Sequence, residues 1–109
     1  MHCFRKLVFL VFSLVLCAST LHTVSADEGE DLYNNYCSAC HNLGVAGAPR
    51  ITDQEAWKPR LAQGKKVLYD HAINGFVGQT GSMPPKGGFV GLSDEQIQQI
   101  VDYIIFQVM

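Results

Sequence analysis

Several things are scarce or missing in this chain, and each narrows what it does. No segment alternates apolar and polar residues convincingly enough to be read as a strand, so a sheet protein is not expected. No β-α-β succession surrounds the cysteines, which leaves a thioredoxin-like dithiol without its usual framework. Internal repeats and low-complexity tails are absent. Long hydrophobic runs are absent too: the longest, from Leu7 to Leu16, is broken by Ser13 and falls well short of the roughly 20 residues that span a bilayer. Basic charge is also short. Eight Lys and Arg face ten Asp and Glu, a poor match to the basic face that nucleic acid requires.

The amino-terminal residues have their own character. Arg5 and Lys6 precede the apolar run, and Val24-Ser25-Ala26 puts small side chains where a signal peptidase reads. This is the layout of a secretory signal over residues 1–26, cleaved before Asp27, which sends residues 27–109 to the periplasm without a membrane anchor. A lipoprotein signal ending at Cys17 is disfavoured because Leu16, not a small residue, precedes it. Cleavage removes Cys3 and Cys17 and leaves only Cys37 and Cys40. It also removes two of the eight basic residues, so six face ten acidic ones and the formal charge is −4. The remaining domain is small, and small exported domains usually need a staple. A disulfide between residues three apart would close only a tiny loop.

The two remaining cysteines stand in Cys37-Ser38-Ala39-Cys40-His41. Cys-x-x-Cys-His is the attachment pattern of a c-type haem. Two thiols one helical turn apart can form thioethers with the two vinyl groups along one porphyrin edge. The next residue, His41, then turns toward the iron as a proximal ligand. A buried haem would also give this small domain an apolar centre.

Along the rest of the domain, residues 28–36 read as a helix with an acidic start and an apolar face of Leu32, Tyr33 and Tyr36. Gly44, Gly47 and Pro49 mark a loop. Thr52-Asp53-Gln54-Glu55 has the form of a capping box, so Thr52 should cap a helix that Pro59 limits to about two turns. Trp57 is expected to pack in the core or on the haem, with a hydrogen bond to a propionate as a lesser role. Residues 65–74 place Val67, Leu68, His71 and Ala72 on one helical face, with Gly75 as the stop. His71 as an iron ligand is the weaker alternative to its packing there. Ser93 to Gln96 form a second capping box ahead of Ile97, Ile100, Val101, Ile104, Ile105 and Val108, which repeat at helical spacing, with Tyr103 and Phe106 widening the apolar surface.

From Gly75 to Leu92 the chain has six glycines and a proline pair with no regular period. Loops this long are uncommon in compact domains unless they are functional. Met83-Pro84-Pro85 sits in the middle. An iron with His on one side has a position open on the other, and a thioether in a proline-stiffened loop can fill it. Met109, at the frayed end, is a poor competitor. Met83 is therefore the expected sixth ligand.

Three segments now carry a resemblance: Tyr36 to His41, Gly44-Val45-Ala46-Gly47-Ala48-Pro49, and Met83-Pro84-Pro85-Lys86-Gly87-Gly88. Together they resemble the class I monohaem cytochromes c, nearest to the cytochrome c5 type. The resemblance implies an all-α fold of four to five short helices wrapped around one covalent haem c. It implies that Gly29 and Tyr33 pack on Ile100 and Tyr103 of the last helix, and that the Pro49 carbonyl accepts the His41 Nδ1–H. It also implies redox protein partners, quinol-oxidising complexes upstream and terminal reductases or oxidases downstream. Members of the c5 group commonly carry a further Cys pair where this chain has Phe89 and Leu92, a place where apolar contact would stand in for the crosslink.

The function expected is that of a periplasmic one-electron carrier, not an enzyme, its iron cycling Fe(III)/Fe(II) between His41 and Met83. The alternative is a five-coordinate haem enzyme or gas-binding sensor, should Met83 leave the iron free. A zinc module on Cys37, Cys40, His41 and His71 has only half of the paired spacing such sites show.

Overall fold

The computed structural model describes residues 26–109; the export signal read at residues 1–26, with Cys3 and Cys17, lies outside the described residues apart from the backbone of Ala26. Five α-helices carry the described chain: α1 (Ala26–Tyr36), α2 (Ser38–His41), α3 (Gln54–Leu61), α4 (Lys65–Asn74) and α5 (Asp94–Val108). Single 3₁₀ turns lie at Val45–Gly47 and Pro85–Gly88. The all-α class is as expected. The expectation of no strand is corrected, because β1 (Phe76–Val77) and β2 (Ser82–Met83) pair antiparallel, with Phe76 opposite Met83. Two-residue strands are too short to leave an alternation in the sequence, and Gly78 and Gly81 close the hairpin through a 2.8 Å backbone hydrogen bond.

The helix on which α1, α3 and α4 pack is α5. Ser93 caps it as expected: its hydroxyl accepts the Gln96 N–H at 3.1 Å while the Gln96 side chain accepts the Ser93 N–H at 2.9 Å. Ile97, Ile100, Val101, Ile104 and Val108 are buried. Each such side chain contributes about 1.5–3 kcal/mol relative to exposure. Ile105 is only partly buried, and Phe106 points to solvent at 75 % exposure, so it does not widen the core face.

Against α5 lies α1, crossing where Gly29 has no side chain. A Cβ there would stand 2.7 Å from the Gln99 carbonyl oxygen and 3.3 Å from the Tyr103 Cβ. Tyr33, 2 % exposed, tilts against the Tyr103 ring with centroids 5.3 Å apart. The pairing with Tyr103 is as the resemblance implied, while at Gly29 the closest approach is to Gln99 and not to Ile100. At the rim of this crossing Gln99 donates to Glu28 at 3.3 Å.

The cap of α3 differs from expectation. Asp53, not Thr52, is the N-cap, accepting the Ala56 N–H at 3.1 Å. Glu55, which completed the box in the sequence, pairs with Lys58 at 2.5 Å instead. Pro59 stands near the end of the eight-residue helix, consistent with its limiting role. In α4, Leu68 and Ala72 are buried, and Gly75 ends the helix with φ +83° and ψ 162°. Tyr69 and Lys65 both reach Asp102 of α5, at 2.5 and 2.7 Å.

Candidate haem-binding site

The cysteine motif is a continuation of α1. Cys37 N–H donates to the Tyr33 carbonyl at 2.9 Å and His41 N–H to the Cys37 carbonyl at 3.0 Å. The helical run thus passes through the motif, and the buried Tyr33, in the last turn of α1, fixes where α2 begins. Tyr33 adds a second tie, its hydroxyl donating to Asn42 Oδ1 at 2.5 Å. Cys37 is half-buried against the core and Cys40 is exposed; neither is in a disulfide. Burial, with Cys40 beside it, pushes the Cys37 thiol up to about 11. A redox dithiol needs the opposite shift, toward thiolate.

His41 is buried, and three consecutive residues hold it and the neighbouring Trp57. The Pro49 carbonyl lies 2.9 Å from His41 Nδ1, the Arg50 carbonyl accepts the Trp57 Nε1–H at 3.0 Å, and the Ile51 N–H donates to the His41 carbonyl at 2.8 Å. The Trp57 ring itself stands beside the imidazole, with centroids 6.2 Å apart. Because a carbonyl only accepts, the Nδ1 contact requires a proton on Nδ1. That leaves Nε2 with its lone pair whenever the ring is neutral. Burial lowers the His41 pKa and favours that neutral form, outweighing the Pro49 bond, with Arg60 acting in the same direction as burial. Trp57 is buried as expected, but the propionate hydrogen bond is corrected: its one ring donor is committed to Arg50.

Met83 lies on the far loop, half-buried and packed against the same core cluster that Cys37 touches. Three glycines set where its strand runs. Gly75, with φ +83°, would place a Cβ 3.0 Å from the Met83 carbonyl oxygen and from two atoms of Pro85. Gly81 would place one 2.0 Å from the Ala46 carbonyl oxygen, and Gly47 would place one 1.8 Å from that of Thr80. The loop that supplies Pro49 and the hairpin that supplies Met83 therefore touch backbone to backbone. Only residues without a side chain permit this approach.

Other sequence candidates take ordinary places. His71 stacks on Phe76 with ring centroids 4.0 Å apart, a packing role. Among the described residues no group of three or more His, Cys, Asp or Glu converges on one point, so Cys37, Cys40, His41 and His71 do not assemble a zinc site. Phe89 and Leu92 are joined by a backbone hydrogen bond, the Leu92 N–H donating to the Phe89 carbonyl at 3.0 Å, while their side chains have different neighbours. Phe89 packs edge-on against Tyr36 at 5.0 Å while Leu92 is buried in the core. Lys86, part of the Met83–Gly88 segment, has a role that the sequence does not indicate: it is mostly buried and bonds across the turn that follows Met83.

Two adjacent free thiols, a buried imidazole with a free Nε2 lone pair and a half-buried thioether fit a covalently held haem. The comparisons agree. The profile of the family described as cytochrome c oxidase, cbb3-type, subunit III matches residues 24–104. Cytochrome c-555 of Chlorobaculum tepidum is 38% identical over 98 residues, covering 90% of this chain and 91% of that protein. The chain belongs to the class I monohaem c-type cytochromes. It therefore carries one covalently attached haem c with its iron and serves electron transport. Cytochrome c5 of Ectopseudomonas mendocina is 36% identical over 78 residues, covering 70% of this cytochrome and 85% of that one. A crystal structure described as an electron transfer complex of nitrite reductase with cytochrome c contains a chain with a TM-score of 0.66 and 35% identity. That match covers 75% of this cytochrome and 95% of the solved chain.

Proposed function

We propose that the protein is a periplasmic one-electron carrier in which Cys37 and Cys40 hold the haem, His41 and Met83 ligate its iron, and Pro49 orients His41. Haem c, when bound, supplies an iron that cycles between Fe(III) and Fe(II). The chain's own residues hold the donors still. His41 is fixed by one side-chain and one main-chain hydrogen bond, both to the segment 49–51. Met83 is held between paired strands on one side and Pro84-Pro85 on the other. With His41 and Met83 both holding the iron, no position would be left for a substrate, and this donor pair would raise the reduction potential.

The single observation that carries this reading is the bond from His41 Nδ1 to the Pro49 carbonyl. It fixes both the tautomer and the direction of the ring, as a ligating histidine requires. The periplasmic location rests on the signal read at residues 1–26, with 27–109 as the exported domain. Among the described residues no helix is long and apolar enough to cross a membrane. The solved neighbour's nitrite reductase complex points to a terminal reductase as the class of electron acceptor.

Replacement of Met83 tests the reading. In the haem-loaded mature protein, Met83→Ala should keep the haem attached, let the reduced iron bind carbon monoxide, and lower the potential. An unchanged spectrum and potential would mean that another group ligates the iron, and carbon monoxide binding by the unaltered protein would favour the five-coordinate alternative.

A further inference from the structure

Outside the glycines, two of the described residues adopt a left-handed backbone: Ala46, in the loop before Pro49, and Lys86, in the turn after Met83. Such conformations persist in side-chain-bearing residues where surrounding contacts over-determine them. For Lys86 (φ +54°) those contacts are plain. Its ammonium donates to the Leu92 carbonyl at 2.6 Å and lies 3.0 Å from the Asp94 carboxylate. The side chain is only 18% exposed, against 58% for Asp94.

The bonds around it form a closed series. Gly87 N–H donates to the Pro84 carbonyl, Phe89 N–H to the Lys86 carbonyl and Leu92 N–H to the Phe89 carbonyl, each at 3.0 Å. The Lys86 ammonium then reaches forward to Leu92, spanning the last two of these turns, and on to Asp94, the first residue of α5. Upstream, Pro84 and Pro85 have fixed φ and pass the constraint to Met83 with little slack. The stretch from Met83 to α5 is thus fastened by one side chain.

We propose that Lys86 is a positioning residue for Met83, latching the Met83 loop to the start of α5 and so holding the thioether on the iron. This rests on Met83 being the second axial ligand, as proposed above. Opening the loop to let Met83 leave breaks the latch, so the latch opposes any ligand that competes for the iron.

Imidazole binding to the ferric haem-loaded mature protein reads this directly, because imidazole is neutral and must displace Met83. Loss of a mostly buried, charge-assisted hydrogen bond in Lys86→Met should tighten imidazole binding about tenfold or more. Lys86→Arg, which keeps the charge and the donors, should recover most of the unaltered affinity. Asp94→Asn, which removes the exposed ion pair and keeps the bond to Leu92, should tighten binding only about threefold; it also carries the test if Lys86→Met yields no holoprotein. Val108→Ala, a core truncation at the other end of α5, should lower the melting temperature and leave imidazole affinity unchanged. If the unaltered ferric protein lacks a Met–iron near-infrared band, the ligation reading fails. If that band is present and Lys86→Met binds imidazole no more tightly, or Asp94→Asn in its place shows no change, the latch is overturned. An equal gain in Val108→Ala would overturn it as well, since general loosening would then explain the effect.

Discussion

Replacing Gly29 by Ala sets two effects of known size against each other. In an unpacked helix the change is favourable, because Ala is better than Gly by about 1 kcal/mol in a helix interior. Here the new Cβ would sit 2.7 Å from the Gln99 carbonyl oxygen and 3.3 Å from the Tyr103 Cβ. The carbonyl belongs to the middle of α5 and cannot rotate away, so the helices must part by about half an ångström. A gap of that size forfeits roughly a quarter of each contact's attraction. Overpacking costs about 1–3 kcal/mol, and with a backbone partner that cannot yield and the Tyr33–Tyr103 contact in the same crossing this case falls at about 2–3 kcal/mol. The clash wins, with a net loss of about 1–2 kcal/mol. For a domain of this size that lowers the melting temperature by about 4–15 °C. Circular dichroism of the haem-loaded mature protein during heating measures it. Gly91→Ala is the matched control, since no atom lies within 4 Å of its Cβ position and its φ is not in the left-handed region. It should be neutral or slightly stabilising. A melting temperature for Gly29→Ala equal to or above that of the unaltered protein would refute the close crossing of α1 and α5.

Three other changes probe the site and its supports. Trp57→Phe removes the indole donor from the Arg50 carbonyl, which keeps the Asp53 N–H at 3.0 Å, so the loss is about 0.5–1.5 kcal/mol; it should lower both the unfolding midpoint in urea and the reduction potential, and an unmoved potential would mean that the indole only fills space. Gly75→Ala forces a side chain into φ +83°, ψ 162° and against Met83 and Pro85, a region open essentially to glycine at a cost of about 1–3 kcal/mol otherwise. Its ferric near-infrared Met–iron band should weaken, and a band of full strength would show that Met83 does not depend on this contact. Burial pushes the Tyr33 phenol up to about 12 from 10.0. Between those values the unfolded chain has lost the proton and the folded chain keeps it, so stability is full below pH 10 and falls as pH rises toward 12. Urea unfolding of Tyr33→Phe near pH 9 and pH 11 should show a smaller loss than the unaltered protein by about 1 kcal/mol; equal losses would contradict the burial argument.

Much of this architecture was legible because it is local. Cys37, Cys40 and His41 are within one helical turn, and the helix that presents them follows directly from α1. The α5 face was readable from a period maintained over almost four turns, and its Ser93–Gln96 cap from a four-residue pattern. Phe106 was misjudged because an apolar residue just off the stripe looks the same in sequence whether it meets the core or solvent. The α3 cap was misplaced by one residue since Thr52 and Asp53 are both good caps, and Lys58 captures the Glu55 that would have decided between them. The features least legible join segments far apart in the chain. The contact of Gly47 with Thr80 and of Gly81 with Ala46 depends on how two loops meet. Nothing near Trp57 indicates that the Arg50 carbonyl would accept a hydrogen bond from its ring N–H. Lys86 looked like a lysine between a proline and two glycines, and its partners appear only once the turn folds it back on Leu92 and Asp94.

The central claim is that one iron sits between the imidazole of His41 and the thioether of Met83. Near-infrared absorption of the ferric haem-loaded mature protein tests it most directly. The account predicts the weak band of a Met–iron bond, present in the unaltered protein and gone in Met83→Ala. Absence of that band from the unaltered protein, together with rapid carbon monoxide binding by its reduced form, would contradict the account and leave a haem with an open position.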